Sequence, residues 1–384
     1  MEQDQRTQQH ESLGLGVEAF APARSEPSLS VLQVCSARVA TYGAVSSMMS
    51  LSHALREAGH NVEFATFRGK ALGSYVGGQG YRFHEVAVRT KIDPVAITRL
   101  ARAMRQNRYD IVHTHLSTSS VNGCLAARLA RVPCVATVHG LSGKLSFVAA
   151  DHLIAVSADV RRHLTAQGLH ESKISIVHNG VTATPPAPGS RERARAELGL
   201  DPGARVVGST ARLTPLKGVD TAIQAISRLA QDWPDIRYVV FGDGEQEQEL
   251  RSLAASLQIE RSVSFAGYRN DLTDLLPALD VFLFPTLREA MGIAVIEAMV
   301  AGVPVVATRV GGIPEVVKPG TGILVEPSDP VALSEAVARI LRDPELKESL
   351  VASASAHVRE HYSSHRMAQR TLAVYEAILA RATG

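Results

Sequence analysis

DVFLFPTLREAMGIAVIEAMVAGVPVVATRV, residues 280–310, decides the architecture. One apolar run ends at Pro285, a second opens at Val303, and the stretch between them suits a single helix beginning near Gly292. Strand, helix and strand in about 30 residues make a parallel βαβ unit. Working outward, the alternation continues in both directions. Towards the C-terminus only GILVE (322–326) remains as a short strand, followed by a long amphipathic helix, SSHRMAQRTLAVYEAILAR (363–381). Towards the N-terminus come VSFAGY (263–268), RYVVFGDG (237–244) and RVVGSTAR (205–212). Before these lies TATPPAPGS (182–190), whose Pro and Gly content marks a linker. Ahead of it the pattern repeats in ISIVHN, HLIAVS, CVATVH, DIVHTH, NVEFATF and SVLQVCSA, the last covering residues 30–37, with a helix from about Ser46 to Ala58 after that first strand.

The expected organisation is α/β, with two doubly wound Rossmann-like domains facing across a cleft. The boundaries are a disordered tail over 1–28, a first domain over 29–182, a linker region over 183–203 and a second domain over 204–365. A C-terminal helix, 366–384, packs back on the first domain. Such sheets bind ligands at the carboxyl ends of their strands, so a ligand belongs between the domains.

Composition narrows the function. The 384 residues are 45% hydrophobic and 20% charged, with 29 Gly and 18 Pro, ordinary values for a globular protein of about two domains. Three cysteines, Cys35, Cys124 and Cys134, lack CxxC spacing, which disfavours a disulfide scaffold or a zinc ribbon and makes a reducing cytosol the default. No apolar run reaches the 18 or so residues of a membrane span, and the first 28 residues, with five acids against two arginines, read as neither signal nor transit peptide. Charge is uneven: residues 31–182 hold 17 Lys and Arg against 8 Asp and Glu, whereas residues 183–384 hold 21 against 25. Within the basic half, Arg99, Arg102, Arg105 and Arg108 recur every third residue. That stripe suits peripheral contact with anionic lipid headgroups, and equally a solvated helix face. No aromatic residues interleave with it, so nucleic acid is not an expected partner.

Candidate chemistry collects at the strand ends of the second domain. Glu289 and Glu297 lie eight apart around Met291-Gly292, with Glu289 in the loop and Glu297 inside the helix. The amides of Gly292, Ile293 and Ala294 at that helix start suit a phosphate, and Gly292 allows its close approach. GSTARLTPLKGVD (208–220) carries Arg212 and Lys217 in a loop after a strand, two cations able to clamp a diphosphate. FGDGE (241–245) is a glycine turn that lacks GxGxxG, and GxxxxGK[ST] is absent, so neither a dinucleotide fold nor a P-loop is indicated. Without an Asp-x-Asp pair or metal-ligand histidine spacing, no metal or other cofactor is expected. In the first half His139-Gly140 ends a strand on the cleft side, and Asn179-Gly180 reads as the turn opening the linker.

These motifs in order resemble the family 4 glycosyltransferases, retaining enzymes of the GT-B fold. VHTH, TVHG, LIAVSADVRRHL, VHNGV, STARLTPLKGVD, VVFGDGE, FAGY, EAMGIAVIEAMVAGVPVVAT and GGIPEVV carry the resemblance, which covers nearly the whole chain from about residue 30. One departure is TYGA (41–44), with a single glycine where many relatives have two. The resemblance implies that Arg212 and Lys217 bind the donor diphosphate and stabilise its departure. Glu297 would hold the ribose, and Glu289, with the Gly292 and Ile293 amides, the transferred sugar. His139 would line the sugar pocket near the reacting carbon. Gly242, Gly267, Tyr268 and Arg269 would border the nucleotide, with the loop at Tyr42, Gly43 and Ala44 facing sugar and acceptor. The expected partners are a nucleotide-diphosphate sugar, UDP-sugar foremost, and a glycan or lipid-linked acceptor, and the expected location is the cytoplasm, free or at the cytoplasmic face of a membrane. A sugar-nucleotide epimerase of the same fold and a non-catalytic sugar-nucleotide-binding protein are the competing readings.

Overall fold

A computed structural model describes residues 28–37 and 43–383. The expected tail, apart from Ser28, and Tyr42 of the expected acceptor loop lie outside the described residues.

The first sheet is built from β1 (Ser30–Cys35), β2 (Asn61–Phe67), β3 (Phe83–Val86), β4 (Ile111–His115), β5 (Cys134–Val138), β6 (His152–Ala155) and β7 (Ile174–Ile176), in the order β3-β2-β1-β4-β5-β6-β7. The second is built from β8 (Val206–Thr210), β9 (Arg237–Phe241), β10 (Val263–Gly267), β11 (Val281–Phe284), β12 (Val305–Thr308) and β13 (Ile323–Val325), in the order β10-β9-β8-β11-β12-β13. Every pairing within these sheets is parallel. Helices on both faces bury the central strands completely, which is why β4, β5 and β11 read as unbroken buried runs. Strand order reverses between β1 and β4 and again between β8 and β11, so each domain has one switch-point crevice at its carboxyl edge.

Strand β3 has no counterpart in the sequence reading. It is an edge strand whose Phe83 and Glu85 are exposed, so no apolar run marks it. The 183–203 stretch is also more than a linker. It contains a helix, Ser190–Glu197, that buries Ala194 and Arg195. Arg195 and Arg191 both pair with Asp280, at 2.9 and 2.6 Å, and Asp280 also accepts the Val206 amide at the start of β8. The helix therefore belongs to the body of the second domain.

The chain passes between the domains twice, and the two passes are bonded together. The Val181 amide donates to the Tyr362 carbonyl and the Ser364 amide to the Val181 carbonyl, both at 2.9 Å. Asn179-Gly180 is thus not a free turn. A Cβ on Gly180 would come within 2.4 Å of the Ser363 carbonyl oxygen, so only glycine permits this approach.

Beyond the crossing, the C-terminal helix Ser364–Thr383 lies on the first sheet. It packs Met367, Ala368, Val374, Tyr375 and Ile378 among Val31, Met48, Val62, Val135 and Ile154. Full burial of side chains as large as these four non-alanine residues contributes about 1.5–3 kcal/mol each. That sum approaches the total stability of a typical domain, about 5–15 kcal/mol. Deleting residues 366–384 is expected to abolish cooperative melting of the first domain and all activity together. Calorimetry beside an activity assay checks this, and a truncated chain that melts and works like the full one would refute it.

Candidate functional site

The switch point of the second sheet is lined by two loops that are tied together. The loop after β8 runs to Gly218, and the loop after β11 runs from Pro285 to Gly292. Leu287 donates its amide to the Leu216 carbonyl at 2.8 Å, and the Thr286 hydroxyl donates to the same oxygen at 3.0 Å. This brings Lys217 Nζ to 2.7 Å from Glu289 Oε2, with both side chains partly buried. A third loop supports the first: Leu213 donates to the Asp243 carbonyl at 2.7 Å. Gly242 beside it has φ 134°, and a Cβ there would lie 1.9 Å from the Ala211 carbonyl oxygen. Arg212 sits between these braces, exposed, and its guanidinium has no hydrogen bond or ion pair among the described residues.

The helix Ile293–Val300 opens at this crevice, with Gly292 at its N-cap in the left-handed region at φ 88°. A Cβ on Gly292 would stand 2.4 Å from Ile313 Cδ1, so both conformation and space demand glycine. The first bonds of the helix run from Val295 and Ile296 to the Gly292 carbonyl, which leaves the Ile293 and Ala294 amides ahead of the ladder. Across the cleft, Gly43 begins the helix Gly43–Glu57 of the first domain. A Cβ on Gly43 would meet Ile293 Cδ1 at 3.4 Å. Two helix N-termini, one from each domain, therefore face each other, and their dipoles present positive potential to the same space. Glu297 lies one turn inside the second helix, mostly buried, and burial pushes its carboxyl up to about 7.

In the first domain His139 follows β5 directly, with its Nε2 at 2.9 Å from His115 Nδ1. Burial pulls its imidazole down to about 4, so it is neutral near pH 7. A second link between the domains was not apparent from the sequence. The Glu315 carboxylate accepts the Ala158 amide at 2.9 Å and the Asp159 amide at 3.3 Å, capping the helix Ala158–Ala166 of the opposite domain. His178 Nε2 adds a bond at 2.9 Å. Burial alone would raise the Glu315 carboxyl, but the His178 bond and the two amides outweigh it and hold it below the usual range.

Comparison with known proteins gives this geometry a family. A model of group 1 glycosyl transferases matches residues 190–357, and a model of glycosyltransferase family 4 matches residues 41–184. The D-inositol 3-phosphate glycosyltransferase of Acidothermus cellulolyticus is 32% identical over 316 residues, which cover 73% of this chain and 70% of that protein. The chain belongs to the family 4 glycosyltransferases. The GDP-mannose-dependent monoacylated alpha-(1-6)-phosphatidylinositol monomannoside mannosyltransferase of Corynebacterium glutamicum is 33% identical over 223 residues, 55% of this chain and 58% of that relative's length. The crystal structure of Anabaena HepE with UDP-glucose superposes with a TM-score of 0.80 at 21% identity, covering 91% of this chain and all of that one. The fold of this glycosyltransferase is GT-B.

Within the glycosyltransferase, the expected site residues divide into groups. Lys217 and Glu289 are in direct contact, and Gly43, Gly292 and Ile293 meet at the domain boundary. Arg212 stands beside Gly242, as the carbonyl of neighbouring Ala211 shows, while Glu297 and His139 hold separate positions with no bond to the others among the described residues. Tyr268 follows β10 on the outer edge of the sheet, 48% exposed. Arg269 is not a free cation: it is ion-paired with Asp271 and with Glu197 of the 190–197 helix, so it fastens that helix to the loop. Gln33 and the partners of His115 and Glu315 are what a linear reading misses. His115 stands in VHTH and Glu315 in GGIPEVV, but neither motif names a partner, and a glutamine inside the apolar strand SVLQVC was the signal for Gln33.

Proposed function

We propose that this glycosyltransferase moves a sugar from a nucleotide-diphosphate sugar, with UDP-sugar placed first, to a glycan or lipid-linked acceptor, with retention and without a metal ion. The facing N-termini at Gly43 and Ile293, with Lys217 and Arg212 beside one of them, carry the reading. Cleavage of the bond between the anomeric carbon and the phosphate oxygen sends its electron pair onto the diphosphate. Fixed cations and amides aimed at that oxygen stabilise the charge as it grows. The acceptor hydroxyl oxygen bonds to the anomeric carbon from the same face, and its proton passes to the departing phosphate oxygen. Before the donor arrives Lys217 is held by Glu289; the diphosphate takes over the ammonium, and the freed carboxylate accepts hydroxyls of the sugar.

The acceptor assignment draws on the surface of the first domain. Arg99, Arg102, Arg105 and Arg108 are exposed along and just beyond the helix Pro94–Asn107, and Ile92 and Val95 at its start are each 58% exposed. Apolar side chains next to a cationic stripe suit the surface of an anionic membrane. The name of the Corynebacterium relative carries a phosphatidylinositol monomannoside, in keeping with a lipid-linked acceptor.

A thermal-shift panel of UDP-glucose, GDP-mannose and ADP-glucose, with NAD and NADP as controls, tests the donor. A ligand at 100 times its dissociation constant adds about 2.7 kcal/mol, enough to move the melting temperature by a few degrees. The expected result is stabilisation by one nucleotide sugar, unchanged by EDTA or Mg²⁺. A response to NAD alone, or to nothing in the panel, would overturn the proposal.

A further inference from the structure

Three histidine rings stack at the carboxyl edge of the first sheet. His113 and His115, two apart on β4, have centroids 4.4 Å from each other, and His139 lies 5.2 Å beyond His115. His113 is fully engaged, with Nδ1 at 2.7 Å from the Tyr375 hydroxyl and Nε2 at 2.6 Å from the Thr137 hydroxyl. His115 is engaged as well: its Nε2 lies 2.7 Å from Gln33 Oε1 and its Nδ1 2.9 Å from His139 Nε2. His139 Nδ1 and Gln33 Nε2 are buried and have no hydrogen-bond partner among the described residues.

The proton order along this row follows from the chemistry of its first member. Burial holds all three imidazoles neutral, so each has one N–H and one lone pair. A carbonyl oxygen only accepts, so with Gln33 Oε1 facing it His115 carries its proton on Nε2. His115 Nδ1 is then bare and takes the proton of His139 Nε2–H. What remains is a buried lone pair on His139 Nδ1. Buried polar groups are nearly always paired, and leaving one unpaired costs about 1–3 kcal/mol. A group that supplies an O–H removes that cost.

We infer that Gln33 and His115 are positioning residues that fix His139 as its Nε2–H tautomer, so that its bare Nδ1 accepts a hydroxyl proton from the sugar of the bound donor. The inference rests on the nucleotide-sugar reading of the cleft. Gln33 is on β1 and wholly buried, and it reaches the ligand only through two imidazoles.

Nitrogen NMR of the full chain with ¹⁵N-labelled histidine, at pH 8, reads the tautomer directly. The His139 resonances are those lost in His139→Gln. Protonated Nε2 with bare Nδ1 is the expected state; a proton on Nδ1 overturns the inference. Gln33→Leu removes the carbonyl, and His139 should then populate both tautomers. In that variant the affinity for UDP-glucose or GDP-mannose, whichever binds the unmodified protein, should fall about tenfold. The affinity for the matching UDP or GDP should be unchanged, because the nucleotide does not touch the row. A mixed tautomer with undiminished nucleotide-sugar affinity would overturn the positioning role. Gln33→Met, of nearly the same shape, serves if the leucine variant does not fold. If the unmodified protein binds no nucleotide at all, the donor reading fails and the hydroxyl assignment with it. The NMR spectra of the unmodified protein and the variant would still decide whether Gln33 sets the tautomer.

Discussion

Glu297→Gln is expected to stabilise the ligand-free glycosyltransferase at pH 8 by about 2–3 kcal/mol while weakening its hold on the nucleotide about tenfold. Burial raises the Glu297 carboxyl from its ordinary 4.5 to about 7, and no cation or donor among the described residues compensates the charge. The folded chain therefore keeps a proton that the unfolded chain releases. The sign follows from this: the stability contribution is fully present below about 4.5, is lost as pH rises through about 7, and is flat above. Glutamine never ionises, so the variant escapes that loss, with the figure set somewhat below full conversion of the shift because the side chain keeps some exposure. On the proposed reading, in which Glu297 holds the ribose of the donor, function pulls the other way. Ribose hydroxyls are donors, and an ionised carboxylate accepts from them about twice as strongly as an amide. Nucleotide affinity of the unmodified enzyme should rise with pH through about 7, and that of Glu297→Gln should not. Melting curves at pH 5 and 8 beside titrations with UDP or GDP check both halves. A variant less stable than the parent at pH 8 would show that the carboxylate has a partner in the free protein.

Arg212→Ala is expected to lower kcat/KM by about 10²–10³-fold and to leave the melting temperature of the free protein unchanged. The guanidinium is exposed and unbonded among the described residues, so its removal takes nothing from the folded state. Its loop is nevertheless braced, through Leu213 to Asp243 and through the close approach of Gly242 to Ala211, and a braced unpartnered cation is prepositioned for charge that arrives later. Lys217→Ala should differ. It strands Glu289, which now has the lysine at 2.7 Å, so some stability should go with the activity. Equal rate losses with unequal melting temperatures would separate the two cations; a wild-type rate in Arg212→Ala would remove it from the mechanism.

How much of this was legible in the chain depended on whether the signal was local. Strands β8, β9, β11 and β12 read directly because each is a short, mostly buried apolar run. The helix start at Gly292 was visible because strand, loop and glycine stand in sequence. The helix Ser190–Glu197 was hidden because half of what it buries is Arg195, a residue that reads as solvent-facing until Asp280, 85 positions later, is placed against it. Gln33, His115 and His139 come from three different strands or strand ends, so no spacing along the chain announces their row. The Glu315 cap on Ala158 spans 157 residues and two domains and is likewise invisible to any local pattern.

The C-terminal helix also has a consequence for synthesis. A ribosome delivers residues 28–361 before it delivers Met367, Val374, Tyr375 and Ile378, the side chains that close the core over β1 and β5. The first domain to emerge is thus the last to be completed, and it waits for the whole second domain to be made. Tyr375, which holds His113 at the end of the histidine row, is among the last to arrive. A chain stopped short by premature termination would lack the keystone of its own first domain, and quality control would meet it as an unfinished domain rather than as a partial enzyme.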